Sequence, residues 1–557
     1  FLGRVVCGAP PALSMRPGAR AGLSGIVGTR DFSPVFRMSR ALLKSTSVVG
    51  VTTLISRITG LVRDMALSQV FGAGLLMDAF LVAYKIPNFL RRLFAEGAFS
   101  QSFVPVISEY RVKRTPDEVR TLVGGTSGTL GGVLLVVTVI GVIGAPLLIL
   151  LFAPGFTRHD DKYDLAVEML RWTFPYLFFV SLTALFSGVL NSYGRFAVPA
   201  FTQVIMNVVM IFFAVVLAAN AANPGVVLAI GVFVSGVLQV LFQLPAVARL
   251  GLLGRPRWQP RAEGVRRIGR LMVPGILGSS MAQVSLLLDT IIASFLMSGS
   301  ISWLYFADRL MEFPLGVFSI ALATVILPGL SVHHAQQSMD RFAGTLDWAL
   351  RLTVLLATPA AVGLLVFSGP LTATIFGYGR FGLRDVQMAS YALLAYSWGL
   401  LMFSLVKVLA PGYFARQDTR TPVRVGIIAL AVTMTLNVVV VLPAKWLGFP
   451  IPHVLLATST CAGAAVNAFL LWRGLRRSGI YRASPGWAMF LWRVLAANIA
   501  MAVLLGWFAG DLGEWTALGA LDRAVKCGLG IAAGAALYFA VLIATGLRYG
   551  HLRNRPI

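Results

Sequence analysis

The chain has 557 residues, 57% of them hydrophobic and only 12% charged, and its 47 Lys and Arg against 22 Asp and Glu leave a net charge of +25. With a mean hydropathy of +0.80, this composition excludes an ordinary soluble globule and defines a polytopic membrane protein. The basic balance would suit nucleic acid, but the charge sits in short loops between apolar stretches, which excludes that partner.

A helix needs about 20 apolar residues to cross the hydrocarbon core. About fourteen such stretches recur along the chain. They are centred in 43–70, 76–108, 122–153, 164–190, 197–220, 224–247, 270–297, 301–331, 345–376, 386–413, 422–442, 451–472, 487–509 and 522–547. Residues 1–37, rich in Arg, Gly and Pro without a continuous apolar core, are set apart from the fold as a disordered or artefactual extension. Basic clusters fall at 111–120, 249–270, 416–424 and 473–482, whereas alternate connections such as 220–224 and 298–300 are short and nearly uncharged. The positive-inside rule then places both termini in the cytoplasm. Cys7, Cys461 and Cys527 are scattered, and His333 and His334 adjoin at a helix end. Neither set has the spacing of a disulfide framework or a metal site.

Shifting the chain against itself by about 224 residues aligns features that apolarity does not force. Pro146 to Phe156 lies over Pro370 to Phe381, Asp64 over Asp289, Gly74 over Gly299 and Pro199 over Pro422. Two homologous lobes are expected, residues 38–250 with spans 1 to 6 and residues 270–480 with spans 7 to 12, joined by a basic linker at 251–269. Residues 481–557 add spans 13 and 14 and a tail. Transporters built from such repeats bind substrate between the halves and rock one against the other. Gly60, Pro87, Pro105, Pro175, Pro314 and Pro328 supply bends inside the spans.

Four arginines lie inside these apolar stretches: Arg57, Arg63, Arg91 and Arg309. A guanidinium stays charged, and at the bilayer centre it costs roughly 2.5–3.5 kcal/mol on the most lenient scale, so these groups face water or anions. Ser56, Asp78, Glu96, Ser302, Asp308 and Glu312 lie on the same spans and are expected to support or gate the cavity. Internal ion pairs would explain some of these charges, but pairing needs no surplus of cation. Several convergent guanidiniums suit a pyrophosphate, which each can grip with two hydrogen bonds. Asp289 is a lone acid mid-span, which with Asn437 and Thr458 could hold a cation or take up a proton. No Walker A, Gly-x-Ser-x-Gly or His-Glu-x-x-His motif is present, so the expected protein is a transporter rather than an enzyme, driven by a Na+ or H+ gradient, the membrane potential or the substrate itself.

The run Lys85-Ile-Pro-Asn-Phe-Leu-Arg-Arg-Leu-Phe-Ala-Glu-Gly-Ala-Phe-Ser-Gln-Ser-Phe-Val-Pro105 resembles the MurJ (MviN) family of bacterial lipid II flippases, of the MOP exporter superfamily. Ser56-Arg57 with Arg63-Asp64, Asp308-Arg-Leu-Met-Glu-Phe-Pro314 and Arg416-Gln-Asp-Thr-Arg-Thr-Pro422 extend that resemblance over residues 38–550. It implies an all-α, two-lobed fold of about fourteen helices in the bacterial inner membrane. The implied activity is movement of lipid II, the undecaprenyl-pyrophosphate peptidoglycan precursor, to the periplasmic leaflet by alternating access, with cell-wall synthases as partners. It further implies a substrate role for Arg57, Arg63, Arg91 and Arg309, a contribution from Asp78, a lipid-tail groove on spans 13 and 14, and a sodium site at Asp289 and Asn437, where Val441 stands in place of a helpful second acid. The alternatives are a flippase for another polyprenyl-linked glycan and a drug/cation antiporter of the same superfamily; the antiporter should carry surplus acids where this chain carries surplus arginines.

Overall fold

Lipid offers the backbone no hydrogen-bond partner, so each spanning segment must satisfy its own peptide groups as a helix. The computed structural model describes residues 40–92, 99–158 and 160–547, with no strand among them. The extension at 1–37 and the acid Glu96 lie outside the described residues. In the first half the helices are α1 (Arg40–Phe71), α2 (Leu75–Arg91), α3 (Ser100–Lys113), α4 (Pro116–Ile143), α5 (Ala145–Phe152), α6 (Asp160–Thr173), α7 (Tyr176–Ser192), α8 (Ala197–Phe212) and α9 (Pro224–Arg249). The second half contains α10 (Glu263–Ser294), α11 (Ser300–Pro314), α12 (Ala321–Ala335), α13 (Met339–Val366), α14 (Ser368–Phe376), α15 (Leu383–Phe414), α16 (Arg420–Leu436), α17 (Leu442–Trp446) and α18 (Pro452–Arg477). The chain continues through α19 (Trp487–Ala509), α20 (Leu512–Ala517) and α21 (Ala520–Ala544). Ser47–Ile557 forms one compact unit.

Eleven helices among the described residues are long and apolar enough to cross a membrane. Expected spans 1, 2 and 7 correspond to α1, the α2–α3 pair and α10, which are helical but stand outside those eleven. Residues 263–269, expected as linker, are already helix. Val265 and Ile268 of this first stretch of α10 are buried with Val119, Leu122 and Phe103, and Arg267 bridges to Glu109 at 2.8 Å. Apolarity marked the wrong boundary because Arg266, Arg267 and Arg270 make these turns polar while one helix face still packs.

The repeat is visible as geometry. Gly74 precedes α2 and Gly299 precedes α11, and the short α5 and α14 each follow a long span. A π-helical stretch at Phe213–Leu217 recurs 224 residues later at Asn437–Val441. Each widens the last turns of an apolar helix and re-aims its side chains.

Three buried clusters organise these elements. One contains Phe103, Val123, Val189 and Ile268 from the first half and α10, and another Ile326, Phe342, Val408 and Leu475 from the second. Both lie toward the end that carries the basic loops. The third runs from Leu67 and Phe80 through Phe306 and Phe376 to Ala457, so it draws on both halves. The halves are therefore fused at the end remote from the basic loops, and at the other their cores are distinct except where α10 packs into the first half's cluster.

Loop contacts seal the fused end. Arg380 N donates to Gln69 O at 2.9 Å and Gly155 N to Ser294 Oγ at 3.0 Å. Gly72 and Gly379 have φ of 67° and 59°, and a Cβ on either would strike the opposing backbone, at Arg380 O or Gln69 O. Glycine is needed at both positions for conformation and for close approach. At the basic end, α16 is preceded by Asp418, whose carboxylate accepts from the Thr421 hydroxyl at 2.7 Å and amide at 3.0 Å. Those bonds hold the Asp418 carboxyl below its ordinary pKa.

The approach to α19 is fixed by Asp347 of α13, a buried carboxylate. It accepts from Trp487 Nε1 at 2.7 Å, Tyr481 Oη at 2.9 Å and Arg351 Nε at 3.0 Å. Replacing Asp347 with Ala strands the buried Tyr481 hydroxyl and takes an acceptor from the half-buried Trp487 and Arg351, and should cost about 2–3 kcal/mol; thermal unfolding in detergent should show a clear drop in Tm, with Asp347→Asn intermediate.

Candidate functional site

The seam between the halves is built on α1, α2 and α11. Arg63 is 7% and Asp64 2% exposed, both inside what would be hydrocarbon, so each needs a partner. Asp64 Oδ1 accepts from Arg63 Nη2 at 2.7 Å and from Tyr305 Oη at 2.9 Å. Its Oδ2 faces Arg309 Nε at 3.3 Å. One carboxylate of the first half therefore ties its own helix to α11 of the second. Arg63 Nη1 adds a bond to Asn207 Oδ1 at 3.1 Å, and Asn207 Nδ2 returns to the Ser56 carbonyl at 3.1 Å. Gly60 faces α8 here, with Asn207 Nδ2 3.6 Å from where its Cβ would stand, an ordinary contact distance.

Of the four arginines expected to bind substrate, Arg63 is buried among protein partners, where it bonds Asp64 of its own helix and Asn207 of α8. Arg57 is exposed, and its guanidinium lies against Gly316, where any Cβ would collide with it. That contact crosses the seam to the π-helical stretch Leu315–Ile320 that follows Pro314. Arg309, 34% exposed at its side chain, donates to Glu312 Oε2 at 2.8 Å and stacks over the Tyr305 ring at 4.9 Å. Arg91 stands on a different wall, with Nε on Asn88 Oδ1 at 2.8 Å, lining a cavity between α1, α2, α7, α8 and α9. Arg57 and Arg309 converge on the seam from opposite halves, and Arg91 flanks it.

Asp78 does not hold an arginine. Its Oδ2 accepts from Lys162 Nζ at 2.8 Å and from Gly299 N at 2.7 Å, and Oδ1 accepts from Ser302 N at 2.9 Å and Ser302 Oγ at 2.6 Å. A carboxylate at the first turn of a helix is favourable, since unpaired N–H groups and the helix dipole both point at it. Asp78 and Ser302 accordingly form a latch at the fused end. Lys162 and Asn207 were missed by sequence reading, although each is a polar residue adjoining an apolar run; Tyr305 was missed because a tyrosine one turn before Arg309 reads as ordinary packing. Lys85 is exposed mid-span and donates to Thr290 Oγ1 at 2.8 Å, and its charge reaches Asp289 and Asp308.

The expected cation site is only partly assembled. Asn437 Nδ2 donates to Asp289 Oδ1 at 3.2 Å, while the Asn437 carbonyl oxygen accepts from Ser459. Thr458 turns back to Val454 O on its own helix at 2.9 Å, and Val441 is a buried apolar neighbour. A sodium ion wants several converging oxygens; these residues offer one carboxylate beside an amide N–H and an ammonium, so they do not fit that cage. No cluster of three acid, His or Cys ligands occurs among the described residues.

Two halves fused at one end, largely separate at the other and meeting across a cation-rich seam define a two-lobed, multi-pass membrane transporter. A family model described as "Lipid II flippase MurJ" matches residues 67–518. The chain is 45% identical over 516 residues to the "Probable lipid II flippase MurJ" of Haemophilus influenzae, covering 90% of this chain and 100% of that one. It is 42% identical to the "Lipid II flippase MurJ" of Burkholderia cenocepacia, covering 92% and 99% respectively. In fold it is similar to a solved structure described as "Lipid II flippase MurJ, inward closed conformation", with a TM-score of 0.72 at 23% identity over 89% of this chain and 98% of that one. It also resembles an inward-facing multidrug MATE transporter of the MOP superfamily, with a TM-score of 0.57 at 13% identity over 78% and 98%. The chain belongs to the MurJ family, a family of transporters rather than enzymes, in the bacterial inner membrane.

The seam makes a specific energetic prediction. Asp64→Ala leaves the buried Arg63 guanidinium with no counter-charge and only Asn207 and Tyr305 as partners, which should cost about 3–5 kcal/mol, whereas the double variant Arg63→Met with Asp64→Leu should recover only part of that loss, because Tyr305 and Arg309 still lack their acceptor. Unfolding of the two purified variants beside the unaltered protein in detergent checks the order.

Proposed function

We propose that this protein moves lipid II from the cytoplasmic to the periplasmic leaflet by alternating access between its two lobes, residues 38–250 and 270–480. The observation that carries the reading is that guanidiniums of opposite halves reach the seam, Arg57 against Gly316 and Arg309 against Asp64, while Arg91 lines the neighbouring cavity of the first half. A pyrophosphate carries the negative charge and acceptor oxygens that such a set can grip bidentately. The relatives' printed substrate is a lipid with that group.

Orientation follows from the basic loops, which the positive-inside rule assigns to the cytoplasm with both termini. The fused end is then periplasmic and the cavity faces the cytoplasmic leaflet, where the precursor would enter. Arg57 and Arg309 bind the pyrophosphate while the polyprenyl chain stays in lipid, along a groove of α19 and α21. Ligand on Arg309 competes with Asp64 and Glu312, loosening the cross-seam contacts, and the Asp78 latch must break for the periplasmic end to open. Product release there would supply cell-wall synthases. The steps named here require no sodium at Asp289; a proton gradient or the membrane potential can supply the energy. A flippase for another polyprenyl-linked glycan would use the same pyrophosphate contacts. An antiporter of cationic drugs is disfavoured, because six basic side chains (Arg57, Arg63, Lys85, Arg91, Arg92, Arg309) face four acids (Asp64, Asp289, Asp308, Glu312) among the described residues of this region.

Lipid II exposure at the outer leaflet of cells depleted of their own flippase provides the test. Arg57→Ala should abolish exposure, and Arg309→Lys, which keeps charge but loses the fork, should lower it about tenfold or more; full exposure with Arg309→Lys would overturn bidentate recognition. A cysteine pair at Asp78 and Ser302 should stop flipping when oxidised and, on reduction, return it to the level of the Asp78→Cys single variant, because the disulfide replaces a bond that has to open.

A further inference from the structure

Within the first half lies a cavity of about 490 Å³ that the seam chemistry does not use. Its wall includes Arg91, Thr53, Thr183, Ser187, Gln203 and Gln239, with no acid among the described lining residues. Thr53 is one helical turn before Arg57, so α1 joins this cavity to the seam on one face. Two buried groups on the wall are unsatisfied. Thr183 is 7% exposed and its hydroxyl has no partner; Gln239 is 2% exposed, and while its Nε2 donates to Thr202 O at 3.2 Å, its Oε1 has none.

The contrast with Gln243, one turn further along α9, is informative. Gln243 Nε2 bonds Ser187 Oγ at 2.9 Å and Thr202 Oγ1 at 2.8 Å, so the lobe can satisfy an amide fully where nothing else is required. Buried polar atoms are almost always paired, and an orphan calls for a partner that arrives from outside. A wall of hydroxyls and carboxamides with one guanidinium and no acid suits a ligand that is uncharged, rich in hydroxyl and amide groups, and attached to an anion. It does not suit an ammonium.

We propose that this cavity is the sugar subsite of the transporter: Arg91 takes a phosphate oxygen, and Thr183 and Gln239 hydrogen-bond the hydroxyl and acetamido groups of the amino sugar next to it. This rests on the lipid-pyrophosphate reading above and deepens it. The volume falls within the roughly 300–1,000 Å³ of pockets that enclose small ligands. It holds one or two sugar rings and leaves the peptide in the space between the lobes. Selectivity for a glycosylated over a bare pyrophosphate lipid then resides in the first half alone.

The experiment measures binding to the purified full chain in nanodiscs with three probes: lipid II, its peptide-free disaccharide analogue, and undecaprenyl pyrophosphate. Thr183→Val removes the orphan hydroxyl at constant shape, and Ala184→Met, on the same wall, fills the space. Each should raise Kd about tenfold for both glycosylated lipids and leave undecaprenyl pyrophosphate unchanged. Unchanged binding of lipid II in both variants overturns the sugar subsite, as does an equal loss for undecaprenyl pyrophosphate. If the unmodified protein prefers none of these lipids over phosphatidylglycerol, the pyrophosphate reading itself fails and the subsite with it.

Discussion

The carboxylate of Asp64 is the group on which the seam depends. Three guanidinium or phenol groups, from Arg63, Arg309 and Tyr305, converge on its two oxygens, and they come from both halves. In a low-dielectric interior none of them can be left alone, because an unpaired buried charge costs several kcal/mol. The lobes are consequently held in register by electrostatics at the seam where the proposed function places a charged ligand. On that proposal a negative ligand offers Arg309 an alternative partner, and binding and lobe separation are coupled through one acid. Packing alone could not provide this, since hydrocarbon is as good a neighbour for Leu as another Leu.

The two ends of the molecule solve opposite problems. At the fused end, contacts are short-range and specific: the latch of Asp78 on the first turn of α11, and interlocking loops where only glycine fits. Such contacts have a sharp optimum and can be either made or broken. At the basic end each half has its own apolar cluster, and the first turns of α10 join the second half to the first half's cluster through Val265 and Ile268. Rocking then rearranges the polar latches and this α10 contact while leaving most of the helix packing within each half intact. The π-helical stretches at Leu315–Ile320 and Asn437–Val441 belong to this economy, each giving one helix a local change of aim beside a candidate functional residue.

The similarity to MATE transporters locates what distinguishes this chain from its fold relatives. The scaffold is shared with exporters of other cargo, and fold by itself does not name a substrate. The cation surplus at the seam and the acid-free polar cavity in the first half are properties of particular side chains mounted on that scaffold.

Membrane insertion, helical class, the repeat and the anionic character of the substrate could all be read from the sequence, because each follows from local rules. Apolar length sets a span, a fixed offset reveals a repeat, and a guanidinium in an apolar helix demands an anion or a partner. Tertiary structure alone decided which arginine has which. Arg63 and Arg57 differ little in sequence context, yet Asn207, more than 140 residues away, and Tyr305 on the opposite half bury one and leave the other exposed. Asp78 is expected from sequence to support or gate the cavity, but its partners, the first turn of α11 and Lys162, lie on distant segments and emerge only in the fold. Thr458 was placed at the cation site and its neighbour Ser459 is the residue that turns toward Asn437. Helical phase is set by packing to within one residue, and one residue is a rotation of about 100°, which periodicity in a single chain does not resolve when both faces are apolar.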